Sequence, residues 1–393
     1  MPKQIAERIA GMAEQLRSQA DEAERLGKLP DDTAKKLKES GVIRMLQPAE
    51  HGGYESHPRD FAEAVMAVAR YCGASGWVSG IVGVHPWEMA FCDPKLQEEV
   101  WGRNQDTWIA SPYAPTGVAR PVDGGYVFSG RWQFSSGTDH CDWIFLGGLL
   151  GDADGRPVAP QRMLHLVLPR SDYEIVEDSW NVVGLRGTGS KDIVVREAFV
   201  PDYRVLDAAK VIEGQAAAEA GRDETVFRMP WSTIFPLGIT AAVIGIAEGA
   251  LDAHVAYQRD RTAAVGGVIK ENPYVMRAIG EAAAEIAGAR AQLLDNVSRI
   301  FDIVDGGSTV SFERRAAGRR DQVRAAWRAV AAVDEIFTRS GGNALRLDQP
   351  IQRFWRDAHA GLSHAIHVEG TVYHAAAMTA MGQDVPEALR MMI

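Results

Sequence analysis

Apolar positions recur at helical spacing from the start of the chain: Ile5, Ile9, Met12 and Leu16 fall on one face, interrupted by Glu7 and Glu14. The spacing predicts an amphipathic helix rather than a secretory leader, since no small-residue cleavage site follows it. Ala-, Glu- and Lys-rich helical segments continue to about Trp101. They are punctuated by Leu29-Pro30-Asp31-Asp32, where Asp31 or Asp32 can cap a helix, by Gly41, and by the turn-rich Pro48–Glu55. Phe61 to Tyr71 reads as a further helix. The stretch GASGWVSGIVGVHPW, which carries His85 just before Pro86, reads as a Gly-rich apolar helix able to pack closely.

Near Thr107 the pattern shifts. The runs YVFSGRWQF, DWIFLGGLL, MLHLVLP, YEIV and DIVVREAFV are β-branched and aromatic, and DGG, DADGRP and GLRGTGS turns bound them, as in an antiparallel β-domain. GLRGTGS lacks the Lys-Ser/Thr ending of a phosphate loop and sits among short strands, which makes it a loop at a sheet end. From Pro230 helical spacing returns over Ile239 to Asp260, Val275 to Asp302 and Arg319 to Arg339, with breaks at Gly266-Gly267, Gly306-Gly307 and Gly341-Gly342. The fold class is therefore mainly α with a central antiparallel β-domain. We expect an N-terminal helical domain over 1–106, a β-domain over 107–224 and a bundle of four-helix type over 225–393. Within the last helix, a wheel at about 100° per residue puts Ile351, Phe354, Trp355, Ala358, Leu362 and Ile366 on an apolar stripe. Arg353, Asp357, His364 and His367 fall opposite, on a solvated face or a second surface lining a cavity.

Composition narrows the ligand. A chain of 393 residues with 46% hydrophobic content can bury a large core, and its net charge of -10, with both signs interspersed, disfavours nucleic acid or an anionic membrane as partner. The basic run ERRAAGRRDQVR reads as a solvated helix face. The most apolar run, Thr240 to Ala247, is shorter than the roughly 20 residues that span a bilayer. Three widely spaced cysteines, Cys72, Cys92 and Cys141, indicate neither a disulfide framework nor a thiolate metal site and fit a reducing cytoplasm. His364, His367 and Glu369 lack a partner cluster elsewhere, so no metal is expected. A small molecule is the default ligand. Ser135 and Ser136, at a strand end between an aromatic run and Gly137, can face a flat one or form an ordinary sheet edge.

Five motifs in order carry a resemblance. SPYAPTG from Ser111 looks like a TEPxAGSD loop, and YVFSGRWQFSSG from Tyr126 looks like a YxlxGxKxWITNA segment, with Phe134 in the Trp place and Ser136 in the Thr place. VGLRGTGSKDIVVREAFVP resembles a GxRGS turn and strand, YQRDRTAAVGG contributes Arg261, and IQRFWRDA resembles an RxxRDA helix. Together they resemble the acyl-CoA dehydrogenase fold over nearly the whole chain. The resemblance implies that Ser136 reaches a flavin, with Ser135 beside it, Phe134 along the ring system and Arg261 at the phosphates. A dehydrogenase needs a carboxylate beside the flavin, but the register brings His364 to that vicinity, and Glu369 falls about one turn late. An acyl-CoA dehydrogenase with bound FAD remains the alternative, and a helical scaffold without flavin is a third reading.

WVSGIVGVH, the SSG of FSSGTDH and RFWRDAHAGLSH resemble instead the flavin-dependent monooxygenase branch of this fold. That branch includes the oxygenase components of 4-hydroxyphenylacetate 3-hydroxylase and of the 3-hydroxy-9,10-seco-steroid (3-HSA) hydroxylase. The likeness implies a two-component enzyme that ortho-hydroxylates a phenol to a catechol, using reduced FMN or FAD and molecular oxygen through a flavin 4a-hydroperoxide. Ser136 would guard flavin N5. His364, an imidazole poised near neutral pH, would protonate the departing oxygen, and His85 with Ser111 would face the phenol oxygen. No GxGxxG follows a strand and opens a helix, so a separate NAD(P)H:flavin reductase is expected as partner. A homotetramer is implied as well. A seco-steroid phenol, a smaller phenol and a polyketide aromatic all remain open as substrates.

Overall fold

The computed structural model describes residues 2–259, 261–262, 268–390 and 392–393. The expected Gly266-Gly267 break lies outside them. The amphipathic start folds as α1 (Lys3–Gly11) and α2 (Ala13–Ser18), with Ile5, Ile9, Met12 and Leu16 all buried. Then follow α3 (Ala20–Leu26), α4 (Asp31–Ser40), α5 (Pro58–Tyr71), α6 (Gly73–Val82), α7 (His85–Met89) and α8 (Pro94–Trp101). Asp31 and Asp32 lie inside the first turn of α4 rather than at its cap, because Pro30 takes that place; their charges still favour the helix N-terminus.

The strands are β1 (Ile109–Ala110), β2 (Gly117–Val122), β3 (Gly125–Ser135), β4 (Trp143–Leu150), β5 (Met163–Pro169), β6 (Glu174–Val176), β7 (Lys191–Pro201) and β8 (Val205–Asp207). They form one sheet in the order β6-β7-β3-β2-β4-β5-β8, with β1 added beside β4. The sheet is not wholly antiparallel. After the β2–β3 hairpin turns at Asp123-Gly124, β4 returns on the far side of β2 and runs parallel to both β2 and β1. The register of β3 on β7 slips twice, the second time between Trp132 and Ser135, so β3 leaves its partner as it approaches Ser136.

Helices resume with α9 (Ala208–Ile212), α10 (Gln215–Glu219), α11 (Trp231–Ile234), α12 (Leu237–Arg259), α13 (Pro273–Asp305), α14 (Phe312–Thr338), α15 (Pro350–Leu362) and α16 (Glu369–Ala380). By length and composition the stretch Trp231–Arg259 could cross a membrane, but 83% of its most apolar window is buried inside the protein. It is the axis of the helical core: α12 packs on α5, α6, α13, α14 and α15. Such approach needs small residues. A Cβ on Gly80 of α6 would lie 2.4 Å from the Gly238 carbonyl oxygen of α12, so both positions must lack one. This contact fixes α6 on the bundle, and with it the side chains that α6 turns toward the end of β3.

Candidate active site

The end of β3 meets the middle of α6. Gly137, at φ +72°, turns the chain after Ser136, and its N–H donates to the Thr188 carbonyl at 2.8 Å, tying the strand end to the GLRGTGS loop. The Ser136 hydroxyl is buried and accepts the Trp77 indole N–H at 3.1 Å. It also shares a hydrogen bond with Ser190 Oγ at 2.7 Å, Ser190 shares another with Thr188 Oγ1 at 2.7 Å, and Thr188 donates to the Leu185 carbonyl at 2.7 Å. The Leu185 N–H donates in turn to Asp357 Oδ1 at 2.6 Å. Asp357 therefore does not lie on a solvated face: it is buried under this loop, and burial raises its carboxyl to about 6.

α15 stops at Leu362, before the expected stripe reaches its last member, Ile366. His364 instead caps a short 3-10 turn, Ala365–His367, where its Nδ1 accepts the Ile366 N–H at 3.3 Å. Its ring centroid lies 5.8 Å from that of Trp77. Burial first, and the Arg319 charge second, pull its pKa down to about 4. His364 is therefore neutral at physiological pH, contrary to the expectation of an imidazole poised near neutrality. With Nδ1 accepting, its proton resides on Nε2, so it is a neutral donor. His367 faces the bundle interior rather than solvent: Nδ1 donates to the Gly361 carbonyl at 3.1 Å and Nε2 accepts from Thr240 Oγ1 at 3.1 Å. Glu369 is exposed at the start of α16, away from the buried groups around Ser136. Among the described residues no three His, Cys, Asp or Glu side chains are grouped to hold a metal.

His85 opens α7, just beyond the run of α6 that carries Trp77. It is buried, and Nδ1 is 2.5 Å from the Ile109 carbonyl of β1. A carbonyl can only accept, so His85 carries its proton on Nδ1 and leaves Nε2 as an acceptor; burial lowers its pKa to about 4. The same strand leads into Ser111, buried two residues beyond the carbonyl that His85 grips. Sequence reading does not pick out the surrounding cluster. The Tyr113 ring lies 5.8 Å from His85, 5.3 Å from Phe235 and 4.6 Å from His165, while buried Glu88 meets His165 Nδ1 at 2.5 Å. The available signals were Glu88, one turn after His85 on α7, and a lone His165 in the apolar run MLHLVLP.

Phe134 is 64% exposed and has φ +69°, a conformation costly for an aromatic residue, at the place where β3 slips off β7. Ser135 is fully buried beside it, and its Oγ has no hydrogen-bond partner among the described residues, so it stands outside the Ser136 chain. Arg261 follows α12 and donates to the Ser340 carbonyl at 2.6 Å. Val243, which with Trp77 lines the space beside Gly361, sits near the opposite end of α12, so about 24 Å of helix separates Arg261 from the Ser136 region. The structure thus unites Ser136, Trp77 and His364, places His85 with Ser111, and leaves Arg261 apart. An exposed aromatic ring next to a buried hydroxyl, with a neutral donor beside Trp77 and a neutral acceptor at the start of the next helix, fits an isoalloxazine and an aromatic co-reactant.

The three-layer order of helices, sheet and bundle is that of flavin enzymes of the acyl-CoA dehydrogenase fold. Residues 3–92 match the family described as acyl-CoA dehydrogenase, N-terminal domain, and residues 237–369 match its C-terminal domain. Within that fold the chain belongs to the oxygenase components of the flavin-dependent monooxygenases. It is 59% identical over 393 residues, all of both chains, to a pigment production hydroxylase of Rhodococcus erythropolis. It is 45% identical over 361 residues, 91% of this chain and 93% of the relative, to the flavin-dependent monooxygenase oxygenase subunit HsaA of Rhodococcus jostii. The crystal structure of 3-HSA hydroxylase from Rhodococcus sp. RHA1 superposes with a TM-score of 0.92 at 42% identity, covering 99% of both chains.

Proposed function

We propose that this monooxygenase hydroxylates a phenol ortho to its hydroxyl, giving a catechol, with dioxygen as co-substrate and reduced FMN or FAD delivered by a separate NAD(P)H:flavin reductase. The observation that carries the reading is the opposite polarity of two neutral imidazoles, His85 with a free acceptor and His364 with a free donor. Names of relatives support a phenol: a resorcinol hydroxylase of Rhizobium sp. and a p-hydroxyphenylacetate 3-hydroxylase of Acinetobacter baumannii. When bound, reduced flavin supplies the electrons that activate dioxygen. Ser136 would hold the flavin at N5 and Phe134 would lie along its rings. Arg261, too far beyond α12 to serve the flavin of its own chain, would contact the phosphates only from a second copy, and Ser135 would back the strand end.

His85 Nε2 accepts the hydrogen of the phenol, with Ser111 as second partner, and the electron density this releases makes the ortho carbon nucleophilic. His364 presents its Nε2 proton to oxygen on the side of Trp77. Full burial of His85 and partial burial of His364 limit water and strengthen these bonds. We further propose a cytoplasmic homotetramer. Supporting it are three buried free cysteines and large apolar side chains exposed on the bundle side, among them Tyr274, Met276, Leu345 and Leu347.

The test supplies FMNH2 or FADH2 from a generic reductase, under oxygen, to a panel of phenols that includes a seco-steroid. Catechol formation that depends on His85 is the expected result. Stoichiometric hydrogen peroxide with every phenol would overturn the reading, and bleaching of bound oxidised FAD by an acyl-CoA would favour a dehydrogenase.

A further inference from the structure

The hydroxyls behind Ser136 form a chain whose direction is fixed at both ends. The Leu185 carbonyl can only accept, so Thr188 spends its single hydroxyl hydrogen there, at 2.7 Å. Thr188 then meets Ser190 as an acceptor, which spends the Ser190 hydrogen at 2.7 Å, and Ser190 in turn accepts from Ser136 at 2.7 Å. At the other end the Trp77 indole can only donate, and it does so to Ser136 at 3.1 Å. All four contacts are satisfied by this one arrangement. In it Ser136 has no hydrogen left, and its remaining valence is a lone pair. Ser136, Ser190 and Thr188 are all buried, so water does not compete for these positions.

A flavin reduced at N5 carries a hydrogen there and donates; an oxidised flavin has a lone pair there and must accept. We propose that Ser190 and Thr188 are positioning residues that lock Ser136 as an acceptor, so that the site selects flavin bearing hydrogen at N5. This deepens the assignment of Ser136 to N5 and rests on it. The Leu185 peptide, at φ +53° and anchored through its N–H to Asp357, holds the terminal carbonyl in place. Neither Ser190 nor Thr188 touches the flavin in this account; both act through Ser136.

The experiment measures Kd for oxidised FMN and, under anaerobic conditions with dithionite, for FMNH2, and takes their ratio. Ser190→Ala frees the Ser136 hydrogen to turn toward N5. Thr188→Val has the same effect one step earlier, because Ser190 then turns its hydrogen to Ser136. Each should lower the preference for FMNH2 by about 5-fold, the effect of one hydrogen bond. Ser190→Thr should retain the wild-type ratio. A ratio unchanged in both Ser190→Ala and Thr188→Val, including equal weakening of both redox states, overturns the proposal. Ser136→Ala separates the two levels. If it shifts the ratio while the other two variants do not, the chain has no role and the N5 contact stands. If it leaves the ratio unchanged, the N5 contact itself fails.

Discussion

The Trp77 indole N–H donates to Ser136 Oγ at 3.1 Å, while the same indole lies 5.8 Å, centroid to centroid, from the tilted His364 ring. One side chain from α6 thus joins a strand end to a turn more than 200 residues later in the chain. Trp77→Phe keeps most of the packing and removes the donor. The expected result is a roughly 5-fold fall in hydroxylated product per hydrogen peroxide released, in line with one lost hydrogen bond. Paired catechol and peroxide assays read that ratio directly.

His85 and His364 should separate in kinetics. If His85 accepts from the phenol as proposed, His85→Ala should lower product formation by about 100-fold or more while leaving FMNH2 affinity near wild type. His364→Gln keeps an N–H donor and should retain more activity than His364→Leu. Equal loss in both His364 variants would count against donation from Nε2.

Both imidazoles are pulled down to about 4, so neither changes charge between pH 6 and 8. The fraction of flavin turnover that ends in product should therefore be flat across that interval for a substrate whose own ionisation lies above it. A step near pH 6.5 that disappears in His364→Gln would show the ring working as a cation.

Stability should respond to acid through buried groups of opposite sign. His367 is depressed from 6.5 to about 3 by burial, so the folded state binds fewer protons than the unfolded chain; its contribution is full above 6.5 and is lost as pH falls toward 3. Asp357 is raised from 3.8 to about 6, so its contribution is full below 3.8 and is lost as pH rises through 6. Thermal melts from pH 8 to 4 should show a shallower acid decline in His367→Asn. Asp357→Asn should remove a cost above pH 6, and an Asp357→Asn melting temperature that drops at pH 8 by as much as at pH 4 would contradict this.

Gly80→Ala places a methyl 2.4 Å from the Gly238 carbonyl oxygen. The strain should cost about 1–3 kcal/mol of stability. It should also displace α6 enough to reduce coupling to product, an effect that a surface substitution of equal stability cost would not produce.

The elements around Ser136 were legible because local chemistry announces them: the FSSG strand end, the Gly-rich α6 and the RFWRDA helix each carry their own pattern. The hydroxyl chain was not, because Ser136 and Ser190 are 54 residues apart and only a folded loop turns Thr188 and Ser190 toward them. The burial of Asp357 is hidden from the sequence for a related reason. A helical wheel assigns it a polar face, whereas the Leu185 loop covers that face and makes it interior. His364 escaped the wheel because α15 ends at Leu362. Trp77 opens the WVSGIVGVH segment, which gives no sign of its bond to Ser136, since an indole in an apolar helix reads as core.

Trp77 and His85 lie eight residues apart on consecutive helices, so on the proposed assignment one stretch of backbone would set the span from cofactor to aromatic substrate. On that assignment a bulkier substrate could not be admitted by sliding this stretch without detaching Trp77 from Ser136. Room would then come from the aromatic cluster beside His85, where Tyr113 stacks on Phe145 and meets Phe235 edge-on. On the proposed roles, reactivity and substrate size would rest on separate groups of side chains, and the second could drift through those aromatic rings while the first stays fixed.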